Sequence, residues 1–157
     1  MIERIISGGQ TGADRAALDA AIACGFPHGG WCPKGRTAED GIIPPHYRLE
    51  ETAGASYLAR TEKNVKASDG TVAFTMGEMG SGTARTRDFA GRHRKPCLHL
   101  ALHHLNDLEA ERRVRAFVAE HAIKTLNVAG SSASREPEVH TRVFTVIRRV
   151  LAEEEAG

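Results

Sequence analysis

Nowhere in this chain do about 18 apolar residues run together, and the opening MIERII has neither a basic stretch nor a long apolar core. A membrane span and a secretory leader are therefore not expected, and the expected setting is the cytoplasm. Charge of one sign is missing too: 21 Lys and Arg against 20 Asp and Glu leave a formal +1. Such a field is too weak to imply nucleic acid or an anionic membrane as partner. The three cysteines, Cys24, Cys32 and Cys97, are widely spaced and form no C-x-x-C pair. Neither a disulfide framework nor a zinc knuckle follows, and they read as small core residues in a reducing compartment. Internal repeats, low-complexity tracts and a G-x-S-x-G elbow are lacking as well. The last disfavours a serine hydrolase, although Ser81 stands between glycines.

What is present is an alternation of short apolar strands and amphipathic helices within 157 residues, enough for one domain, 1–157, around one core. Strands are expected at RIIS (4–7), briefly around Trp31, and at TVAFTM (71–76), CLHLAL (97–102) and TLNVAG (125–130). The first helix carries Ala13, Ala17, Ala20, Ala21 and Cys24 on one stripe. Others are expected at 57–67 with Leu58, Thr61 and Val65 on one face, at 83–93, and at 108–121 with Val114, Phe117 and Val118. A last helix aligns Val139, Val143, Val146, Ile147, Val150 and Leu151, and the terminal AEEEAG reads as a solvated tail. Strands without inside/outside alternation, separated by such helices, fit a mainly parallel sheet covered on both faces. The expected fold is a doubly wound α/β domain with five strands, in the order 2-1-3-4-5 that handedness rules favour.

In that order the loops SGGQTGAD and MGEMGSGTART meet at the switch point between strands one and three, where open α/β sheets bind ligands. Gly8, Gly9 and Gly12 let backbone N–H groups approach a ligand, and a helix starting near Thr11 aims its dipole into the same space. Asp14 either completes a Thr-x-x-Asp capping box with Thr11 or faces the ligand. Arg85 and Arg87 in the first turn of the 83–93 helix, and Arg15 in the first helix, oppose the dipole unless an anion is bound; solvated arginines are the alternative. The loop AGSSASREP adds serine hydroxyls and Arg135, with Pro137 suited to a first helical position.

The segment 25–56 is long for a loop inside a compact domain, which marks it as functional. Lys34 and Arg36 flank Gly35 and could clamp an oxyanion, while Glu39 and Asp40 could receive N–H or O–H groups of a ribose or pterin. A surface salt-bridge cluster is the alternative. His99, His103 and His104 have no ligand-like spacing, so no metal is expected at them. RHRK (92–95) suits a helix C-terminus without nucleic acid.

The stretches SGGQTGADRAALDAAI, GGWCPKGRTAEDGIIPPHYRLEET, RTEKNVKASDGTVAF, GSGTARTRDFA and LNVAG resemble the molybdenum-cofactor carrier family, which is similar in fold to the Rossmann-like YpsA and LOG (lysine-decarboxylase-like) proteins. The match runs in order from Ile6 to the region of Pro137. It implies ligand contacts at Gly8, Gly9, Gln10, Thr11 and Gly12, at Lys34, Gly35 and Arg36, and at Gly80, Ser81, Gly82, Thr83 and Thr86. The LOG phosphoribohydrolases are similar at P-G-G-x-G-T-x-x-E. This chain keeps the core as Gly80 to Thr83 but has Thr86 at the glutamate position and no proline before the glycines. Two readings stand. One is a carrier holding a small phosphorylated ligand, the molybdenum cofactor or a nucleotide, without a catalytic residue. The other is a nucleoside monophosphate phosphoribohydrolase, for which Glu39, Asp40 or Asp14 would supply the carboxylate. A homo-oligomer is the expected assembly.

Overall fold

The computed structural model describes residues 1–156, with side chains described through Ala152. The chain builds β1 (Arg4–Ile6), α1 (Ala13–Ala23), β2 (His28–Gly29), β3 (Trp31–Cys32), β4 (Thr37–Ala38), β5 (Gly41–Ile42), β6 (Glu50–Glu51) and α2 (Tyr57–Ala67). It continues with β7 (Gly70–Thr75), α3 (Ser81–Arg92), β8 (Cys97–Ala101), a 3-10 turn (Leu102–His104), α4 (Asp107–Glu120), β9 (Thr125–Gly130) and α5 (Val139–Ala156). The end of the chain thus continues as helix rather than a loose tail, and the side chains of 153–157 lie outside the described residues.

The fold is the doubly wound α/β class expected, with a five-stranded, wholly parallel main sheet. Two details of the expectation are corrected. The strand near Trp31 does not join this sheet; β2 does, with Ile5 beside His28, while β3 pairs with β6 in a separate small sheet. The main sheet runs β2-β1-β9-β7-β8, so the last strand stands between the first and third rather than at the edge. Ile5 pairs with Leu126 on one side, and Leu126 with Gly70 on the other. Counted with β9 as the first strand, the order reads 3-2-1-4-5, the Rossmann arrangement entered at its second strand. Handedness rules constrain each crossover but not where the chain begins.

Chemistry divides the two faces of the sheet. Val72, Phe74, Leu100, Leu126 and Val128 face α1, α4 and α5 in one core of fully buried side chains. The alanine stripe of α1 favours helix and lets the valines of α5 pack closely, each such valine contributing about 1.5–3 kcal/mol by burial. By alternation the opposite face carries Thr71, Thr75, Asn127 and His99 beneath α2 and α3. Asn127 Nδ2 donates to Thr71 Oγ1 at 3.1 Å, and Thr75 Oγ1 shares a 2.8 Å hydrogen bond with His99. Every residue of β7 is buried, as the unbroken strand pattern suggests, yet one side of the sheet is a polar floor.

Candidate functional site

The helices after β9 and β7 leave on opposite faces, so the crevice of this sheet lies at the carboxyl ends of those two strands. Glu136 ties the ends together. Its carboxylate accepts from the N–H groups of Met76 and Gly77, both at 2.9 Å, and from the Ser131 hydroxyl at 2.5 Å. Burial opposes its ionisation, but these three donors outweigh it and hold the carboxyl below the usual range. Glycine is required where the backbones nearly touch. Gly130 has φ 147°, and a Cβ there would lie 2.0 Å from Phe74 O; Gly12 has φ 85°, and its Cβ would lie 2.3 Å from Ser131 O.

The same crowding engages the start of α1. Ala13 N donates to Ser131 O at 3.0 Å, and Gly12, not Thr11, is the N-cap. The capping box expected from Thr11 and Asp14 does not form. Thr11 Oγ1 donates to the Glu39 carboxylate and accepts from Ala133 N at 3.1 Å, because the loop after β9 arrives there first. Asp14 points inward and pairs with Arg60 at 3.2 Å, both side chains being about nine-tenths buried. Burial pushes the Asp14 carboxyl above the usual range, an effect that Arg60 and the N–H groups of Gln10 and Gly8 only partly offset. Gly8 makes room for this pair, since a Cβ there would lie 2.0 Å from Arg60 Nη1.

Between these loops lies a cavity of about 270 Å³, near the lower end of the roughly 300–1,000 Å³ typical of small-molecule sites. Asp14, Arg60 and Asn64 border one side, residues 80–83 and Thr86 another, residues 127–132 the floor, and Arg135 the rim. The α3 helix starts at Ser81, two residues earlier than expected, which places Arg85 and Arg87 beyond its first turn and in solvent. Its N-cap, Gly80, supplies no side chain to the first-turn N–H groups, and those of residues 81–83 have no backbone partner outside the helix. Thr83 is 6% exposed and borders the cavity, yet its hydroxyl has no hydrogen bond among the described residues. The guanidinium of Arg135 lies close over Gly80, within 2.6 Å of where a Cβ would stand, and is likewise without a hydrogen bond among the described residues. Uncapped N–H groups, an unbonded hydroxyl at the cavity wall and an arginine fork suit an anionic oxygen cluster.

Of the residues expected in a site, Gly8, Gln10, Asp14, Gly80, Ser81, Gly82, Thr83 and Thr86 border this cavity. Gly9, Thr11, Gly12, Lys34, Gly35, Arg36, Glu39 and Asp40 do not. Arg36 is turned into its own loop, donating to Ile43 O, Leu49 O, Pro44 O and Tyr47 O at 2.8–3.4 Å. Lys34 is exposed. Asp40 pairs with Arg15 at 2.5 Å, and Glu39 also accepts from Ser134 N at 3.0 Å and Ser134 Oγ at 2.6 Å. The Ser134 and Thr11 hydroxyls hold the Glu39 carboxyl below the usual range, and Arg15 does the same to Asp40. Glu39 thereby fastens the long segment to the loops after β1 and β9, and Asp40 fastens it to α1. Thr86 is buried, and its hydroxyl donates back to Gly82 O at 3.3 Å.

Several residues that border the cavity stand outside the glycine-rich and charged motifs of the sequence. Arg60 and Asn64 sit one turn apart on the buried face of α2, whereas Leu58, expected on that face, is 44% exposed. An Arg and an Asn at i, i+4 on the inward side of a helix was the available signal. His103 and His104 fall in the 3-10 turn and do not border the cavity, although His103 N donates to Met76 O at 2.8 Å just past β7, while His99 lies beneath α3 against Thr75.

A family model described as "Circularly permutated YpsA SLOG family" matches residues 5–151. The crystal structure of a protein named "Putative molybdenum carrier protein", from Syntrophus aciditrophicus SB, is 45% identical and superposes with a TM-score of 0.93 over 96% of this chain and 95% of that one. No curated protein matches.

Proposed function

The chain belongs to the circularly permutated YpsA SLOG family, and from that premise we propose that it is a carrier, holding a small phosphorylated ligand at the start of α3 without turning it over. The permutation agrees with the sheet order, which becomes 3-2-1-4-5 once β9 is counted first. The observation that carries the proposal is the unsatisfied donor set of the cavity. The first-turn N–H groups of α3, the Thr83 hydroxyl and Arg135 are donors at the cavity wall for which no side-chain or loop hydrogen-bond acceptor stands among the described residues.

The name of the 45% identical protein supports a molybdenum-cofactor cargo. Its phosphate end fits this donor set; the ring end would meet Asn64, Asn127 and the start of α2. No cluster of three or more His, Cys, Asp or Glu side chains able to hold a metal gathers among the described residues. A metal in such a cargo would keep the ligands the cargo itself provides. A nucleotide offers the same phosphate end.

Lack of turnover is supported by the carboxylates. Thr86 occupies the position of the hydrolase glutamate, and Glu39 and Asp40 are engaged outside the cavity. One observation favours a second reading, a phosphoribohydrolase: Asp14 does border the cavity, and burial raises its pKa toward the range of a general acid. Its ion pair with Arg60 counts against that role. Incubation with adenosine and guanosine monophosphates, followed by chromatography for free base, separates the readings. Binding without base release supports the carrier; base release that is lost in Asp14→Asn, with folding retained, supports the hydrolase.

A further inference from the structure

The start of α2 is built in an unusual way for a solvent-facing helix end. Ser56 caps it, its Oγ accepting from Ala59 N at 3.3 Å, and the next two residues, Tyr57 and Leu58, are large, apolar and each 44% exposed. Both border the cavity, which none of the other exposed large apolar side chains among the described residues does. Tyr57 is also held in place. The Arg60 guanidinium lies 5.4 Å from the centre of its ring, and Arg60 Nε donates to Tyr57 O at 3.4 Å. Arg60 is itself 8% exposed and anchored to Asp14. The chain of support runs from Gly8, which makes room for Arg60, through Arg60 to the tyrosine ring.

An aromatic side chain that borders a ligand cavity, is backed by a buried cation and still offers solvent-open surface has the properties of a stacking surface. A tyrosine with two side-chain torsions, already oriented, loses little freedom when a flat partner settles on it. We propose that Tyr57 is the platform on which a planar heteroaromatic ring of the ligand stacks, so that the ligand is a phosphate ester bearing such a ring. This rests on the reading that the cavity takes a phosphorylated ligand, and it adds that the phosphate alone is not what is selected. Nucleobases and pterins share this chemistry.

The test is isothermal titration of the whole protein with inorganic phosphate, ribose 5-phosphate, adenosine monophosphate, guanosine monophosphate and a pterin phosphate. Stacking on one aromatic side chain is worth about 5- to 150-fold in affinity. At least one ring-bearing probe should therefore bind about tenfold or more tightly than ribose 5-phosphate. Tyr57→Ala should remove most of that advantage and leave ribose 5-phosphate within about twofold, while Tyr57→Trp keeps it. Whichever probe responds to Tyr57→Ala identifies the ring as nucleobase or pterin. Thermal melting of each variant checks the fold. If ribose 5-phosphate binds and is lost in Thr83→Val, but no ring adds affinity or Tyr57→Ala changes nothing, the platform is refuted and the phosphate site stands. If no probe binds the wild-type protein, both fall together.

Discussion

Arg60→Ala should destabilise the protein in a strongly pH-dependent way. The substitution removes the cation 3.2 Å from a carboxylate that is itself about nine-tenths buried. Breaking one partner from a buried pair typically costs about 3–5 kcal/mol, because the other charge is left without compensation. Asp14 has one escape, which is to take up a proton. Its folded pKa already lies above the ordinary value because of burial, and Arg60 is the largest influence holding it down. Without Arg60 it rises further. A carboxyl whose folded pKa is raised contributes stability in full below its unfolded pKa, and that contribution is lost as pH climbs through the folded value. The deficit of the variant relative to wild type is therefore smallest in acid, opens above the wild-type folded pKa and is complete above that of the variant. A urea-unfolding series across the pH range should give a deficit of about 1–2 kcal/mol at its acid end, mostly the packing of the arginine stem, growing with pH to about 3–5 kcal/mol. Adding Asp14→Asn to Arg60→Ala should flatten the difference. A deficit that does not change with pH, or is larger in acid, would refute the assignment of Asp14 and Arg60 as a coupled buried pair.

Gly130→Ala should prevent folding or cost more than about 4 kcal/mol, since its Cβ meets the backbone of β7. Gly82→Val, where a Cβ meets nothing within 4 Å, should leave the free energy of unfolding in urea within about 1 kcal/mol of wild type. It should nonetheless weaken phosphate binding by titration, and equal losses of fold and binding would contradict the placing of Gly82 at the cavity. Arg36→Ala should speed proteolysis within 25–56 and cost roughly 2–4 kcal/mol through loss of its bonds to four carbonyls; unchanged cleavage would show that the loop does not depend on it. The Glu39 carboxyl is held below its ordinary value by the Ser134 and Thr11 hydroxyls. Its contribution is present above the unfolded pKa and lost as pH falls through the folded one, so loop proteolysis should rise below about pH 4 in wild type. Glu39→Gln should show the raised cleavage at neutral pH as well, and its absence would place the loop anchor elsewhere.

Much of this architecture can be read from the sequence because its cause is local. The helical stripes of α1, α4 and α5 and the β-branched strands announce themselves by periodicity, and those apolar side chains do form the core. Strand order is another matter. Parallel strands pair across long crossovers, and nothing in TLNVAG itself says that β9 lies beside β1 rather than at an edge. The glycines at 80 and 82 mark the start of α3 correctly as part of a cavity wall. The charged residues of the long segment are different. Lys34, Arg36, Glu39 and Asp40 have the chemistry of a ligand clamp, but Arg36 is taken up by carbonyls of its own loop, and Glu39 and Asp40 by partners distant in sequence. Conversely, Arg60 looks like one more charge on a polar helix. Only the tertiary approach of Gly8 and Asp14 shows that it is buried.

On the proposed function, a phosphorylated small molecule sits at the start of α3 and is kept intact. This is tested most directly by native mass spectrometry of the purified protein, wild type beside Thr83→Val, with the released small molecules analysed for phosphorus. The wild-type protein should retain a mass that carries phosphate, is released unhydrolysed on denaturation, and is strongly reduced in the folded Thr83→Val variant. A retained phosphorylated ligand of equal occupancy in both proteins, or a ligand without phosphate, would contradict it.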